Sequence, residues 1–313
     1  MSAVEAPDQS GITDGVARRD ALLGSTADRL GSAREARWIL EHVEAHRAES
    51  ASADELSRQV EALVARRMAG EPLQYVLGRW PFRSLELTVD PRVLIPRPET
   101  EQVVEVALAE LSRIVGQAEP GPSPVAVDLG TGSGAIALAL AIEGGRRFPD
   151  LEVWATDVSA DALAVAAQNL ALLASGETGV GGGAGAGSRV QLAEGSWFAA
   201  LPDGLEGRVD LIAANPPYVA ESEYAELDPG VRDWEPRGAL VAAAGSGGVG
   251  GMADIETIVA EAPRWLRPGG ALVVEIAPGQ ADASIDAARR AGFRPVSTER
   301  DLAGQLRMLV ARR

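Results

Sequence analysis

Residues 125–134 read VAVDLGTGSG. Its first five residues form an apolar run typical of a buried strand, and the glycines that follow make a turn into an alanine-rich helix. Glycine lets the backbone turn tightly and lets a ligand come close to the main chain. The stretch therefore predicts a strand–turn–helix unit with a ligand site at the carboxyl end of a parallel strand.

Strand and helix patterns alternate from residue 125 onward, which predicts a parallel sheet with crossover helices. The last two strand patterns are separated only by a short turn at 300–305, so we expect them to pair antiparallel. The predicted strands are 125–129, 152–157, 190–193, 209–213, 239–241, 271–276, 293–299 and 306–311, and the predicted helices are 134–141, 160–173, 255–266 and 282–291.

The residues before this α/β part have a different pattern. Apolar residues at helical spacing predict short helices within 14–70, one of them after a capping box that starts at Ser52. Short strands around Asp90-Pro91 predict a β-hairpin within 71–94, and Pro98 suits the first turn of a helix that runs to 115. The expected organisation is a flexible tail at 1–13, a small helical bundle at 14–78, a β-hairpin linker at 79–97 and an α/β domain at 98–313.

Two glycine-rich stretches interrupt the α/β part, at 176–187 and 245–251. They have too little side-chain surface to pack against the rest of the domain, so we expect flexible loops.

The composition excludes several classes of function. The chain has 313 residues, no cysteine and two histidines, so a thiolate metal site and a cysteine nucleophile are impossible, and a histidine triad is implausible. We expect no metal. The formal net charge of −16 disfavours binding to nucleic-acid phosphates. Because the chain shows neither a signal peptide nor a long apolar run, we expect a cytoplasmic protein without a membrane partner.

Asp157 ends the predicted strand that follows the glycine turn. In a doubly wound sheet its carboxylate would lie beside the turn and could accept hydrogen bonds from both hydroxyls of a ribose. The residues thus predict a nucleoside-bearing cofactor. Gly130, Gly132 and Ala135 also fit the G-x-G-x-x-A dinucleotide pattern, so a nicotinamide dehydrogenase stays open, although the antiparallel C-terminal pair favours a methyltransferase.

The sequence Asn215-Pro216-Pro217-Tyr218 directly follows the predicted strand 209–213. The prolines make this loop rigid, and the Asn215 side-chain oxygen and the Pro216 carbonyl can then face one point as two acceptors. Two acceptors match the two hydrogens of a planar –NH2 group, and Tyr218 could pack on its face. The loop predicts methyl transfer to an amide or amine nitrogen, with a nucleic-acid base among the possible acceptors.

Six stretches resemble motifs of the bacterial release-factor glutamine methyltransferase family. They are GEPLQYVLG at 70–78, VLIPRPETE at 93–101, the glycine turn, NPPYV at 215–219, WLRPGG at 265–270 and RDLAGQ at 300–305. The IPRPET run is far more specific than NPPY, which many nitrogen methyltransferases share. The resemblance covers the chain closely from about residue 71 to the C-terminus, and covers the helical bundle in its layout.

This resemblance implies a class I S-adenosylmethionine methyltransferase, with a Rossmann-like seven-stranded sheet whose C-terminal strand is antiparallel, plus a small N-terminal helical bundle that docks class 1 peptide chain release factors. It implies methylation of the glutamine side-chain amide in their Gly-Gly-Gln motif. The implied catalytic residues are Asn215, Pro216 and Tyr218, and Asn215, Pro216, Pro217 and Tyr218 would bind the substrate. The implied S-adenosylmethionine site consists of Gly130, Thr131, Gly132, Ser133, Gly134, Asp157, Trp197 and Asn215.

Other functions stay open at this point. A DNA adenine-N6 methyltransferase uses the same loop on a flipped base, but the acidic charge and the absence of a basic recognition domain weigh against it. A dehydrogenase lacks a histidine near the glycine turn to donate a proton, and a non-catalytic adaptor has no need of Asn215 and Asp157. Arg97 and Glu99 are expected to line the substrate channel or to form an ion pair with each other.

Overall fold

The computed structural model describes residues 9–46, 48, 52–117, 123–175, 187–243 and 250–313. The chain divides into two compact units, Met1–Leu77 and Gly78–Arg313. The expected flexible loops at 176–187 and 245–251 lie outside the described residues, except for Gly187, Gly250 and Gly251.

Within its described residues, 9–46, 48 and 52–77, the first unit contains four helices: α1 (Gln9–Leu30), α2 (Ala33–His46), α3 (Ala53–Met68) and α4 (Leu73–Leu77). Helix α1 begins inside the stretch 1–13 that the sequence analysis expects to be a tail. Ser52 caps α3 by accepting a hydrogen bond from the Glu55 backbone N–H at 3.2 Å. The apolar faces of the helices share one core, whose buried members are Ile39, Leu40, Val43, Leu56, Val60, Val64 and Leu73.

Helix α4 lies within the stretch 14–78 that is expected to form the helical bundle, and the β-hairpin expected within 71–94 begins only at Arg79. The Arg66 guanidinium on α3 donates to the Glu71 carboxylate at 2.8 Å and to the carbonyl oxygens of Tyr75 and Val76. Carbonyls at the end of a helix need such donors, so Arg66 stabilises one short turn of helix here. This contact between side chain and backbone is not visible in the apolar pattern.

A β-hairpin begins the second unit, with β1 (Arg79–Phe82) antiparallel to β2 (Leu85–Thr88). It turns at Arg83, not around Asp90-Pro91 as the sequence pattern suggests. The Arg83 backbone N–H donates to Glu101 at 2.9 Å and its guanidinium binds Glu143 at 2.6 Å, which fixes the turn. Asp90 instead forms a local turn after β2, because its side chain accepts from the Arg92 N–H at 3.0 Å.

The main sheet has seven strands: β3 (Val125–Leu129), β4 (Glu152–Asp157), β5 (Val190–Glu194), β6 (Val209–Ala214), β7 (Leu266–Glu275), β8 (Val296–Arg300) and β9 (Leu306–Arg312). Their order is β5-β4-β3-β6-β7-β9-β8, and β9 is antiparallel to both of its neighbours. The sequence-based prediction of a parallel sheet with an antiparallel C-terminal pair is confirmed. This order is the Rossmann-like topology of class I methyltransferases, with its switch point between β3 and β6.

Helices cover both faces of the sheet. The long ones are α5 (Pro98–Gln117), α8 (Ala160–Ser175), α11 (Ala253–Trp265) and α12 (Ala281–Arg290). Helix α6 (Ala135–Ala139) continues through the π-helical turn Leu140–Gly144 into α7 (Gly145–Arg147), and α9 (Pro229–Arg232) and α10 (Arg237–Leu240) are single turns. One apolar layer packs α5, α6 and the hairpin on one face, and the other packs α11 and α12 on the opposite face.

The predicted strand at 239–241 is wrong, because most of this segment belongs to α10. Pro236 precedes the helix at its N-cap, and only Val241 makes a β-bridge, parallel to Val219. A run of three apolar residues is compatible with a buried helix turn as well as with a strand. Whether such a run forms a strand or a helix turn depends on its contacts with the rest of the domain, and a local pattern contains no information about those contacts.

The loop after β6 is held in place by residues of two later segments. Gln280, which is buried, donates through Nε2 to the carbonyl oxygens of Tyr218 and Gly250, each at 3.0 Å. Gly251 has φ +75°, and a Cβ atom at that position would lie 2.0 Å from the Tyr218 carbonyl oxygen. Glycine is therefore needed at 251, both for its backbone angle and for the close approach of this loop.

We expect Gly251→Ala to destabilise the protein more than Gly269→Ala. Both glycines have positive φ (+75° and +83°), so each substitution adds a backbone cost of roughly 1–2 kcal/mol. Nothing lies within 4 Å of a Cβ at Gly269, whereas one at Gly251 would overlap the Tyr218 carbonyl. Urea unfolding should show an additional loss of about 1–3 kcal/mol for Gly251→Ala. Equal losses for the two variants would contradict this packing.

Candidate active site

A cavity of about 550 Å³ opens where β3, β4 and β6 end, at the carboxyl edge of the sheet. Ligands of open α/β sheets bind at this edge beside the topological switch point. The lining divides into two groups of residues. The glycine turn and the ends of β4 and β5 contribute Gly130, Thr131, Gly132, Ser133, Asp157, Val158, Ser159, Gly195, Ser196 and Trp197, and the other side contributes Pro96, Thr100, Asn215, Pro217, Pro236, Gly238 and Asp254.

All three glycines of the glycine turn have left-handed backbone angles. The φ angles are +72° at Gly130, +55° at Gly132 and +84° at Gly134. The backbone N–H groups of Gly130 and Thr131 both donate to the Thr156 carbonyl at 2.9 Å, which ties the turn to β4. A Cβ at Gly130 would lie 3.1 Å from the Trp197 ring, so this glycine keeps the space between turn and ring open.

Asp157 has both carboxylate oxygens held by the main chain. Oδ2 accepts from the Gly132 N–H at 2.8 Å and Oδ1 from the Ser159 N–H at 2.9 Å. Burial raises the pKa of this carboxyl, although the backbone donors oppose the shift. Because each carboxylate oxygen has two acceptor sites, both can still accept a hydroxyl from a ligand. The structure therefore brings Asp157 beside the glycine turn, as the sequence analysis expects.

An apolar wall lies next to Asp157. Val158 is 72% exposed and lines the cavity. Trp197 lines the same cavity, and the hydroxyl of Thr156 donates to its carbonyl at 3.0 Å. Trp197 has φ +48°, a strained angle for a non-glycine residue, and such strain is common at ligand sites. Val158 is not among the site residues expected from the sequence, although it is recognisable there as an apolar residue directly after the acid that ends the strand.

Asp128 is a second acid near the turn, and the sequence analysis assigned it no role. It is fully buried in β3, where its Oδ2 accepts from the Thr131 hydroxyl at 2.6 Å and from the Ala137 N–H at 3.0 Å. Burial raises its pKa to about 7, and the nearby Asp157 adds to the shift. Its contacts with Thr131 and Ala137 hold the two ends of the glycine turn together, so we infer that Asp128 stabilises this turn.

Asn215 lies on the other side of the cavity and makes hydrogen bonds with residues that are distant in the sequence. Its Nδ2 donates to the Thr100 hydroxyl at 3.0 Å, and that hydroxyl donates to Glu275 Oε2 at 2.7 Å. The Tyr218 hydroxyl donates to the other oxygen, Oε1, at 3.3 Å. Glu275 ends β7 and is 1% exposed, and burial raises its pKa to about 7.

The four residues of the Asn215–Tyr218 loop are placed differently from one another. Asn215 and Pro217 line the cavity, whereas Pro216 and Tyr218 are not among the described residues that do so. The Tyr218 ring packs partly into the core and its hydroxyl points to Glu275, and burial together with that carboxylate raises its pKa. From the sequence, the Tyr218 ring is expected to pack against a substrate, whereas in the structure its hydroxyl is bonded to Glu275.

Arg97 does not pair with Glu99. It binds Glu235, a buried carboxylate whose Oε2 also accepts from the Ile95 N–H at 3.0 Å. Burial raises the pKa of Glu235, while the positive charge of Arg97 opposes the shift. This ion pair holds the segment before α5 against the segment before α10. Each of the two segments contributes one proline to the cavity wall, Pro96 and Pro236. Of the two roles expected for Arg97 and Glu99, the ion pair between them is thus wrong, because the Arg97 guanidinium is paired with Glu235.

Two kinds of structure are absent from the described residues. Among them, no three histidine or acidic side chains are grouped so that they could hold a metal ion. None of the helices in the described ranges is long and apolar enough to cross a membrane.

Comparison with known proteins identifies the family. A family model described as the PrmC N-terminal domain matches residues 23–78. The release factor glutamine methyltransferase of Bordetella pertussis is 41% identical over 242 residues, covering 77% of this chain and 78% of that protein. Its counterpart from Bifidobacterium longum is 38% identical over 250 residues, covering 80% and 79%. The same kind of enzyme from Gloeobacter violaceus is 39% identical over 259 residues, covering 82% and 80%. Identity at this level over most of each sequence means that the chain belongs to the release factor glutamine methyltransferase family.

Proposed function

We propose that this protein transfers a methyl group from S-adenosylmethionine to the side-chain amide nitrogen, N5, of the glutamine in the Gly-Gly-Gln motif of class 1 peptide chain release factors. The observation that carries the proposal is one cavity that joins a nucleoside-type site at Asp157 to the amide of Asn215. The reaction belongs to translation, so the enzyme acts in the cytoplasm. The acidic chain, with a net charge of −16, is unsuited to stable nucleic-acid binding.

The residues around the glycine turn fit S-adenosylmethionine. A volume of about 550 Å³ is in the range of cavities that enclose a small cofactor. We assign Gly130, Thr131, Gly132, Ser133 and Gly134 to its methionine part and the Asp157 carboxylate to its ribose hydroxyls. Val158 and Trp197 offer apolar surface on which a flat adenine can lie. Bound here, S-adenosylmethionine supplies an electrophilic methyl group on a positively charged sulfur.

Asn215 positions the acceptor nitrogen. Its Nδ2 is bonded to Thr100, so Oδ1 is the atom available to accept an N–H of the substrate amide. We propose that the Pro216 carbonyl accepts the second N–H, and that Pro217 borders the substrate within the cavity. Holding both hydrogens aligns the nitrogen lone pair with the methyl donor, and orientation of this kind can contribute about 7–11 kcal/mol. The C–N bond would form as the bond between the methyl carbon and the cofactor sulfur breaks, with the electron pair staying on the sulfur and one N–H proton of the amide passing to water.

Tyr218 contributes through the loop and not through direct stacking. Its hydroxyl is bonded to Glu275 and its carbonyl to Gln280, so it fixes the end of the Asn215–Pro217 segment.

We propose that the helical bundle α1–α4 docks the release factor. The organisation is then a docking bundle at 14–78, the hairpin segment at 79–97 and the transfer domain at 98–313.

Incubation with labelled S-adenosylmethionine tests the proposed function. The acceptors are a class 1 release factor, the same factor with the motif glutamine replaced by alanine, and duplex DNA. We expect label only in the intact factor, mapped by mass spectrometry to the motif glutamine. Label in DNA, or equal label in the alanine variant of the factor, would contradict the proposal.

Asn215→Ala should remove the acceptor for the substrate amide. Loss of one positioned hydrogen-bonding group at a reacting centre typically costs about 10²–10³ in rate, so we expect at least that loss of kcat/KM. The dissociation constant of the cofactor, measured by calorimetry, should stay within about threefold. Gln168→Ala is the control, since it removes an exposed amide on α8 and should keep the parent rate. A fully active Asn215→Ala enzyme would exclude the assigned role.

Asp157→Ala should weaken cofactor binding. Hydrogen bonds to a charged group are worth about 1.5–3 kcal/mol, which corresponds to a roughly 10–150-fold higher dissociation constant. Asp161→Ala removes an exposed acid from the start of the adjacent helix α8, and it should bind the cofactor like the parent. If both variants bound S-adenosylmethionine as tightly as the parent, the ribose assignment would be wrong.

A further inference from the structure

Three distant segments meet behind Asn215. Thr100 lies in the first turn of α5 and Glu275 at the end of β7, 115 and 60 residues away from Asn215 in the sequence. The two hydrogen bonds Asn215–Thr100 and Thr100–Glu275 measure 3.0 and 2.7 Å. Neither Thr100 nor Glu275 is needed to explain the cofactor site, and both are buried.

The direction of these hydrogen bonds follows from the chemistry of the groups. An ionised carboxylate only accepts, so the single hydroxyl proton of Thr100 points to Glu275. The Thr100 oxygen is then an acceptor toward Asn215, and only the –NH2 end of the Asn215 amide can bond to it. Oδ1 consequently points away from Thr100, and within the described part of the chain no group donates to it.

We propose that Thr100 and Glu275 are positioning residues, and that the ionised Glu275 acts through Thr100 to keep the Asn215 oxygen turned toward the substrate amide. This inference rests on the proposed function. With the amide turned over, Asn215 would present its own –NH2 to the –NH2 of the substrate, which is a contact between two donors. The chain of hydrogen bonds thus selects the productive orientation of one side chain.

The surroundings of Glu275 suit this role. Tyr218 donates to Oε1, which leaves Oε2 for Thr100. Arg307 on β9 attracts the carboxylate and lowers its pKa, whereas Glu99 on α5 repels it, and burial is the largest influence. The pKa of Glu275 is about 7 as a result, so an assay at about pH 8 keeps the carboxylate mostly ionised.

A first set of variants removes and restores the middle hydroxyl. Thr100→Val keeps the shape of the side chain but loses the hydroxyl, and Thr100→Ser keeps the hydroxyl. We expect Thr100→Val to lower kcat at least about 30-fold with the cofactor dissociation constant within about threefold, and Thr100→Ser to keep most of the rate. Thr156→Val is the matched control: it removes a buried hydroxyl that holds Trp197, so it should weaken cofactor binding instead.

A second set reverses the hydrogen-bond direction. Asn215→Asp places a second carboxylate on Thr100, and one hydroxyl proton cannot serve both acids. Adding Glu275→Gln provides an –NH2 that donates to Thr100, which can then donate to the new carboxylate. We expect the double variant to be at least about tenfold more active than Asn215→Asp alone. If Asn215 and Glu275 had only separate structural roles, the losses of activity from the two substitutions would instead add up.

The parent enzyme is the reference in each assay, with transfer to the release factor as the readout. A parent that methylates no release factor overturns the proposed function and the inference with it. An active parent together with a fully active Thr100→Val enzyme, or with a Thr100→Ser enzyme as slow as Thr100→Val, overturns the positioning role alone. A double variant no faster than Asn215→Asp also overturns the positioning role alone.

Discussion

The Glu275 carboxylate is buried at the end of strand β7, and a buried charge is tolerated only where hydrogen bonds replace the lost water. Its two oxygens accept from Thr100 and Tyr218, so the start of α5 and the loop after β6 must both reach it. That requirement fixes the position of Asn215, which bonds to Thr100. The geometry of the acceptor side of the cavity depends on this one group.

The sheet order explains why these residues can meet at all. Strands β3, β6 and β7 are neighbours and parallel, so their carboxyl ends lie side by side. The first carries the glycine turn, the second the Asn215 loop and the third Glu275. The neighbouring strand β4 adds Asp157 on the other side of the turn. A methyl donor and its acceptor can therefore share one cavity although the residues that hold them are far apart in the sequence.

Local sequence patterns were sufficient to predict the regular strand–helix part of the fold. The alternation of strand and helix, the glycine turn and the antiparallel C-terminal pair were all predictable, because burial on a sheet imposes regular spacing of apolar residues. The segment 239–241 was not, because three apolar residues are too few to distinguish a strand from a helix turn. Helix α4 depends on Arg66 and the hairpin turn on Arg83, and no apolar pattern reveals either contact.

The candidate site divides in the same way. The positions of Asp157 and Asn215 at the carboxyl edge of the sheet were predictable, because Asp157 ends one strand and Asn215 directly follows another. The pairing of Arg97 with Glu235, and the bonds of Thr100 and Glu275, connect segments that only the folded chain brings together. Single residues within apolar or proline-rich stretches give no sign of such long-range partners. Tyr218 shows the same limit, since its hydroxyl has a buried acceptor that the loop sequence does not suggest.

Neutron diffraction from a deuterated crystal would locate the hydrogens that show how the Asn215 side chain is oriented. The structure predicts two deuterons on the Asn215 nitrogen with one directed at Thr100, a deuteron between Thr100 and Glu275 on the threonine oxygen, and an Asn215 oxygen that faces the cavity. An Asn215 –NH2 group that faces the cavity, with its oxygen bonded to Thr100, would contradict it.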